Sequence, residues 1–134
     1  MNKVAVIDDN LLFRKITKQL LVNIGFKESN IILLENGRIA INYIIENIED
    51  KSLLPNIILL DLNMPKVNGW EFINLLQNLS KKFNYLPKIY IITSSVDTKD
   101  IERAKIIKEV KSYIIKPITS KDLIKALKLK TQEK

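Results

Sequence analysis

The chain has 134 residues, of which 46% are hydrophobic and 28% charged, and its formal net charge is +7. A chain of this length can bury the core of one domain but not of two, so residues 1–134 are predicted to form a single domain. Because the sequence contains no cysteine and no histidine, disulfide bonds, thiolate chemistry and phosphohistidine chemistry on this chain are excluded.

Short apolar runs alternate with amphipathic segments from the first residues onward. Acidic side chains interrupt the first run, and no apolar segment approaches the roughly 20 residues of a membrane span. Neither a signal peptide nor a span is therefore predicted, and the cytoplasm is the expected location. In chain order, the strands are predicted at 4–7, 31–35, 56–61, 88–93 and 112–115, and the helices at 10–24, 38–49, 70–79, 98–109 and 120–130.

Local patterns support several of these elements. The polar residues 80–85 are predicted to form a loop after the third helix. Asp97 is predicted to cap the fourth helix, with Asp100 as the acid of a capping box. Apolar side chains recur at helical spacing in the first helix, at Leu11, Leu12, Ile16, Leu20 and Leu21.

Five repeats of strand and helix predict an α/β fold with a parallel sheet and helices on both faces. The strands are unbroken apolar runs, as parallel strands buried on both faces should be. At this length the expected fold is the flavodoxin-like (βα)5 arrangement with strand order 2-1-3-4-5. In such sheets a ligand binds beyond the carboxyl ends of the strands, where the order reverses between strands 1 and 3.

Acidic residues follow both of these strands. Asp8 and Asp9 come after the first strand and Asp61 after the third, so the predicted strand order brings the three carboxylates together. Their mutual repulsion in a partly buried site is relieved if they bind a divalent cation. Because the cluster offers oxygen and neither His nor Cys, Mg²⁺ is the expected ion, with Mn²⁺ as an alternative.

Polar groups also follow the other two strands at this edge. Thr93 and Ser94 end the fourth strand, and Lys116 comes after the fifth. Acids, hydroxyls and an ammonium around one hollow suit a phosphoryl group. Since the chain has no cysteine or histidine nucleophile, a carboxylate is the available one, and Asp61 is the candidate site of an acyl phosphate.

These residues occur in segments that resemble the receiver domain of two-component response regulators over essentially the whole chain, in the manner of a single-domain chemotaxis regulator. The segments are VIDDN, DLNMPKVNG, ITSS and YIIKP. The resemblance implies that a histidine kinase or a phosphotransfer protein phosphorylates Asp61. It implies further that Mg²⁺ is bound by Asp9, Asp61 and the backbone carbonyl of Asn63, with Asp8 acting nearby, often through water.

The resemblance also assigns roles to residues farther along the chain. Thr93 and Tyr113 would be the switch pair, whose hydroxyl moves to the phosphate while the ring turns inward. Lys116 would pair with the phosphoryl oxygens, and its peptide bond to Pro117 would be cis. Ser94 departs from the family, which usually has a smaller residue there. Pro65 and Gly69 are expected to shape the loop after the phosphoacceptor, and the chain is expected to catalyse only its own phosphorylation and dephosphorylation.

The positive charge is concentrated in the last quarter of the chain. Residues 99–134 hold 11 basic and 5 acidic side chains, a net charge of +6. With almost no aromatic residues among the lysines, this pattern does not favour nucleic-acid binding. We expect a face formed by the fourth helix, fifth strand and fifth helix, residues 97–130, to bind a downstream protein when Asp61 is phosphorylated.

Other functions are compatible with parts of the pattern. A flavodoxin would need a phosphate-binding loop where this chain has DDNLLFR. A haloacid-dehalogenase-type phosphatase would place its D-x-D acids after the first strand alone. A protein-interaction module that works without phosphorylation remains the alternative. The sequence is compatible both with a stand-alone receiver and with one excised from a longer regulator.

Overall fold

The computed structural model describes residues 2–128 and contains one five-stranded parallel sheet in the order β2-β1-β3-β4-β5. This is the predicted flavodoxin-like order. The strands are β1 (Val4–Ile7), β2 (Ile31–Leu34), β3 (Ile57–Leu60), β4 (Lys88–Thr93) and β5 (Val110–Ile115). The helices are α1 (Leu11–Asn23), α2 (Gly37–Glu46), α3 (Gly69–Phe83), α4 (Thr98–Lys105) and α5 (Ser120–Ala126).

Two hydrophobic clusters cover the two faces of the sheet. Every residue of β1 and β3 is buried, and alternate residues of each strand belong to different clusters. On one face Ile58 and Leu60 pack with Phe72 of α3. On the other face Val6 packs with Leu21 of α1, and the same cluster contains Leu123 of α5. Burial on both faces explains why these strands read as continuous apolar runs.

Helix α3 is longer than predicted, so the prediction of a loop at 80–85 is wrong for its first four residues. The helix begins with a capping box between Asn68 and Glu71 and continues to Phe83. Ser80 faces the interior, and Asn84 ends the helix in the left-handed conformation with φ of 54°. The largely polar residues in the last turn of α3 therefore resembled a loop in the sequence.

Helix α4 is shorter than predicted. It ends at Lys105 rather than at 109, and β5 begins at Val110, two residues before its predicted start. Asp97 is the N-cap, as predicted, and accepts a hydrogen bond from the backbone N–H of Lys99. Asp100 does not close a capping box, because its carboxylate binds side chains elsewhere. Helix α2 also ends early, at Glu46, and α5 at Ala126; residues 129–130 of the last predicted helix lie outside the described residues.

The apolar stripe predicted for the first helix is buried only toward its end. Leu21 is fully buried, but Leu11 and Leu12 are 57% and 67% exposed and Ile16 is 44% exposed. The first turn of a helix that follows a parallel strand lies near the carboxyl edge of the sheet, where less core is available to cover it. Among the described residues, none of the helices has the length and apolar character needed to cross a bilayer.

Candidate functional site

The three predicted acidic residues meet at the carboxyl edge of the sheet. In the parallel pairing of β1 with β3, Ile7 lies opposite Leu60, so the residues that follow the two strands are neighbours. Asp8 and Asp61 are 2% and 6% exposed, whereas Asp9 is exposed. One carboxylate oxygen from each of the three lies within 4.8 Å of the others.

Lys116 supplies positive charge to this cluster. Its ammonium nitrogen lies 2.8 Å from Oδ2 of Asp8 and 3.5 Å from Oδ2 of Asp61. The same nitrogen lies 4.0 Å from the centroid of the Phe13 ring, in the position of a cation–π contact. One lysine therefore bridges the acids of two neighbouring strands from a residue that follows β5.

Asp61 lies in an environment that disfavours its charge. Burial is the largest cause and raises the pKa of its carboxyl above the ordinary 3.8, and the negative charge of Asp8 adds to the increase. Lys116, the neighbouring Thr93 hydroxyl and the backbone N–H of Asn63 act in the opposite direction without cancelling it. The site thus carries more negative charge than its own lysine balances.

Asp8 is held in place by three contacts. Its Oδ2 accepts the hydrogen bond from Lys116, and its Oδ1 accepts one of 2.9 Å from the backbone N–H of Asn10. The guanidinium of Arg14 donates a 2.7 Å hydrogen bond to its backbone carbonyl. Arg14 and Phe13 were not among the predicted site residues, because their contacts arise from the placement of α1 and follow no sequence motif.

The hydroxyl residues after β4 are placed differently from one another. Thr93 is fully buried, Ser94 is exposed and Ser95 is half-buried. The backbone N–H of Ser95 lies 3.4 Å from Oγ1 of Thr93. Tyr113 on β5 is half-buried, and its hydroxyl donates a 3.0 Å hydrogen bond to the carbonyl of Ser95. The two predicted switch residues therefore contact the same neighbour, Ser95.

The loop between β3 and α3 packs closely on the Asp61 backbone. Gly69 donates a 2.9 Å hydrogen bond to the carbonyl of Leu62, and a Cβ at Gly69 would lie 2.7 Å from the Asp61 carbonyl oxygen. Asn63 is exposed, and its N–H lies 3.5 Å from Oδ1 of Asp61. Pro65 is exposed on the same loop. At the other side of the site, the Lys116–Pro117 peptide bond is cis.

The donor set fits a hard divalent cation. It consists of the carboxylate oxygens of three acidic residues, whose negative charge the single ammonium of Lys116 does not balance. Asp9 is the most exposed of the three acids. Mg²⁺ binds in proteins through one or two carboxylates and keeps several of its waters, which a site open on one side permits. Asp8, Asp9, Asp61 and the carbonyl of Asn63 are the groups that would hold it.

Comparison with known proteins agrees with this geometry. Residues 4–128 match the family model described as "Response regulator receiver domain". The chain belongs to this family. The receiver domain is 30% identical over 117 residues to a protein named chemotaxis protein CheY homolog from Campylobacter jejuni, an alignment that covers 87% of the chain and 82% of that protein.

Two further matches differ in how much of the other protein the alignment covers. The receiver domain is 38% identical over 69 residues to hybrid signal transduction histidine kinase H of Dictyostelium discoideum, of which it spans 5%. A crystal structure of a two-component response regulator from Cytophaga hutchinsonii superposes with a TM-score of 0.82 at 26% identity, covering 96% of this chain and 95% of that one. The predicted family and fold are therefore confirmed.

Proposed function

We propose that this receiver domain is a Mg²⁺-dependent phosphoacceptor that takes a phosphoryl group onto Asp61 from a histidine kinase or a phosphotransfer protein in the cytoplasm. The observation that carries the proposal is the cluster of three carboxylates within 4.8 Å, bridged by the ammonium of Lys116. The same cluster without a lysine would suit a plain metal site, and the lysine without the acids would suit a plain anion site.

The transfer requires one bond to form and one to break. An oxygen of Asp61 attacks the phosphorus of a phosphohistidine on the donor, and the P–N bond breaks with its electron pair returning to the imidazole. Lys116 and the Thr93 hydroxyl lie where they would contact the incoming oxygens. Bound Mg²⁺, or Mn²⁺ in its place, would neutralise further negative charge on the phosphoryl group. The chain would then catalyse only its own phosphorylation and dephosphorylation.

The expected response to phosphorylation begins at Thr93 and Lys116. A phosphoryl group adds roughly two negative charges and three acceptor oxygens, which draw both side chains toward Asp61. Thr93 is the last residue of β4 and Lys116 directly follows β5, and these two strands lead into α4 and α5. Tyr113 is linked to the same segment through Ser95. Ser94 is exposed beside Thr93, where its hydroxyl is available as a further donor to the phosphoryl group.

The surface that changes would bind the downstream partner. Within the described part of this face, residues 97–128, exposed lysines occur together with exposed apolar side chains, of which Ile106 is 84% and Ile115 is 42% exposed. Such a mixture of basic and apolar side chains suits a partner surface that is acidic and also exposes apolar groups. A partner of this kind would meet the lysines first through long-range attraction and then bury the two isoleucines.

Intact-mass measurement after incubation with acetyl phosphate and Mg²⁺ tests the proposal. We expect the mass to increase by one phosphoryl group in the wild-type protein, and no increase in Asp61→Asn or in EDTA. Phosphorylation that persists in Asp61→Asn would place the modification elsewhere. If a cognate kinase and acetyl phosphate both leave the protein unmodified, the alternative of a phosphorylation-independent interaction module would replace the proposal.

A further inference from the structure

Ser95 is the centre of a hydrogen-bond network beside the site. Its N–H lies 3.4 Å from Oγ1 of Thr93, and its carbonyl accepts a 3.0 Å bond from the Tyr113 hydroxyl. Its own hydroxyl donates a 2.6 Å hydrogen bond to Oδ2 of Asp100 and lies 3.3 Å from the N–H of Asp97. One half-buried serine thus contacts both predicted switch residues and two residues of α4 or its cap.

Asp100 extends this network to another helix. Its Oδ1 accepts a 3.2 Å hydrogen bond from the indole N–H of Trp70, the second residue of α3 and the single tryptophan of the chain. The guanidinium carbon of Arg103 lies 4.4 Å from the centroid of the Trp70 ring. Because Gly69 at the start of α3 packs closely on the backbone of Asp61 and Leu62, Trp70 links the carboxylate of Asp100 to an element that contacts Asp61 directly.

The direction of these hydrogen bonds bears on Thr93. The Ser95 N–H donates to the Thr93 oxygen, and the Thr93 hydroxyl stabilises the charged Asp61 carboxylate and so acts to lower its pKa. A threonine hydroxyl rotates to suit its partners, and a hydrogen bond accepted by its oxygen narrows the directions left for its hydrogen. Ser95 therefore orients the Thr93 hydroxyl, and the short bond to the charged Asp100 in turn holds Ser95.

We propose that Ser95 and Asp100 are positioning residues that hold the Thr93 hydroxyl toward the phosphoryl group on Asp61, with Trp70 anchoring Asp100 to α3. This inference rests on the proposed function, because it concerns how the same site holds its phosphoryl group. It gives a role to Asp100 and Trp70, which the chemistry of phosphoryl transfer does not require. Neither residue touches the reacting atoms.

The experiment measures the affinity for beryllium fluoride, a phosphoryl mimic, at saturating Mg²⁺ by calorimetry, with Trp70 emission as a second signal. Ser95→Ala and Asp100→Ala are each expected to raise the half-saturating concentration about tenfold, as loss of one hydrogen bond to a charged acceptor predicts. Asp100→Asn keeps one acceptor oxygen and is expected to recover part of the affinity. Glu102→Gln removes a negative charge from an exposed position of the same helix and is expected to match the wild type.

A second set of variants separates positioning from general stability. In a Thr93→Ala background, adding Asp100→Ala is expected to change the affinity less than twofold, because the group being positioned is already absent. A merely structural role would lower the affinity equally in both backgrounds. Ser95→Ala removes one hydroxyl from a half-buried loop residue, so it carries the test if Asp100→Ala fails to fold.

The outcomes are distinct. If the wild type binds beryllium fluoride and both single variants stay within twofold of it, the positioning role is overturned while the proposed function stands. An undiminished effect of Asp100→Ala in the Thr93→Ala background overturns it as well. If the wild type itself does not bind, the proposed function fails and the inference falls with it.

Discussion

Asp61 is a single residue whose burial has a stability cost and for which a chemical role is proposed. Its carboxylate is buried beside a second carboxylate, and both effects raise its pKa. Lys116 reduces the cost but lies closer to Asp8 than to Asp61. Of the two buried carboxylates, Asp61 is therefore the one whose charge Lys116 neutralises less completely. Its oxygens, one of which is proposed to attack phosphorus, remain available to a ligand.

The raised pKa of Asp61 predicts a pH-dependent stability difference. A proton binds more tightly to the Asp61 carboxyl in the folded chain than in the unfolded chain. Protonation of Asp61 therefore stabilises the fold fully below the ordinary pKa of 3.8, and this contribution is lost as the pH rises through the higher pKa of the folded chain. Without metal, Asp61→Asn is therefore expected to be more stable than the wild type at pH 7, and its advantage should shrink on acidification. Urea unfolding in EDTA at several pH values measures this.

Added Mg²⁺ provides the control for that measurement. The ion is expected to stabilise the wild type in proportion to its binding and Asp61→Asn much less. An Asp61→Asn protein that is less stable than the wild type at pH 7 in EDTA would contradict a raised pKa of Asp61 in the folded chain.

Lys116 is expected to contribute strongly to stability. In Lys116→Met, Asp8 and Asp61 remain buried without their ammonium partner, and the contact with Phe13 loses its charge. Breaking a buried pair from one side costs about 3 kcal/mol of unfolding free energy. Lys105→Met is the matched control, since the ion pair of Lys105 with Glu102 is 3.8 Å long and exposed, and its loss should cost under ~0.5 kcal/mol. Equal stability of the two variants in metal-free buffer would refute the assignment.

At the level of the elements, the start of α3 packs closely on the backbone of Asp61. A Cβ at Gly69 would lie 2.7 Å from the Asp61 carbonyl oxygen and 2.8 Å from Cα of Leu62. Both are backbone atoms, so the helix or the loop would have to shift. Gly69→Ala is expected to lower the unfolding free energy by about 2 kcal/mol, despite the better helix propensity of alanine.

The same variant should also slow phosphorylation, because the shift displaces Asp61. Chemical denaturation and the intact-mass assay give the two readouts. Asn78→Ala, at an exposed position of α3, is the control and should leave the phosphorylation rate unchanged. Wild-type rate and stability in Gly69→Ala would show that the contact can relax at no cost.

The helices and strands differ in how accurately the sequence predicted their ends. The strands β1 and β4 were predicted to the residue, because burial on both faces leaves a continuous apolar run bounded by polar residues. The ends of α3 and α4 were missed. The last turn of α3 is largely polar and resembles a loop in the sequence, whereas the helix continues to Phe83 and ends at Asn84 in the left-handed conformation. Asp100 was expected to complete the cap of α4, but its carboxylate accepts hydrogen bonds from Trp70 and Ser95 instead.

For the whole molecule, topology explains why the candidate site was predictable. Residues 8, 61, 93 and 116 are far apart in sequence, but each ends or directly follows a strand of one parallel sheet, so the strand order alone brings them to one edge. The contacts of Arg14 and Trp70 depend instead on how α1, α3 and α4 pack. No periodicity or motif records that packing, and only the structure reveals it.

Phosphorylation is expected to change one side of the molecule. With beryllium fluoride and Mg²⁺ bound, amide hydrogen exchange should slow at residues 93–97 and 110–116, which contain the Thr93, Ser95 and Tyr113 contacts. Residues 31–46 form β2 and α2 at the opposite edge of the sheet and should exchange as before. Uniform slowing across the chain would indicate general stabilisation and not a switched face.

The reach of Lys116 has a consequence for biosynthesis. This lysine pairs with an acid 108 residues earlier in the chain and with another 55 residues earlier. During translation Asp8 and Asp61 are therefore made long before their counter-charge exists. A ribosome-bound chain that has released β1 to β4 would hold two carboxylates that resist burial, so the central strands should remain open until β5 emerges. Nascent chains whose Lys116 is still inside the ribosome should accordingly be cut by proteases that spare the released chain.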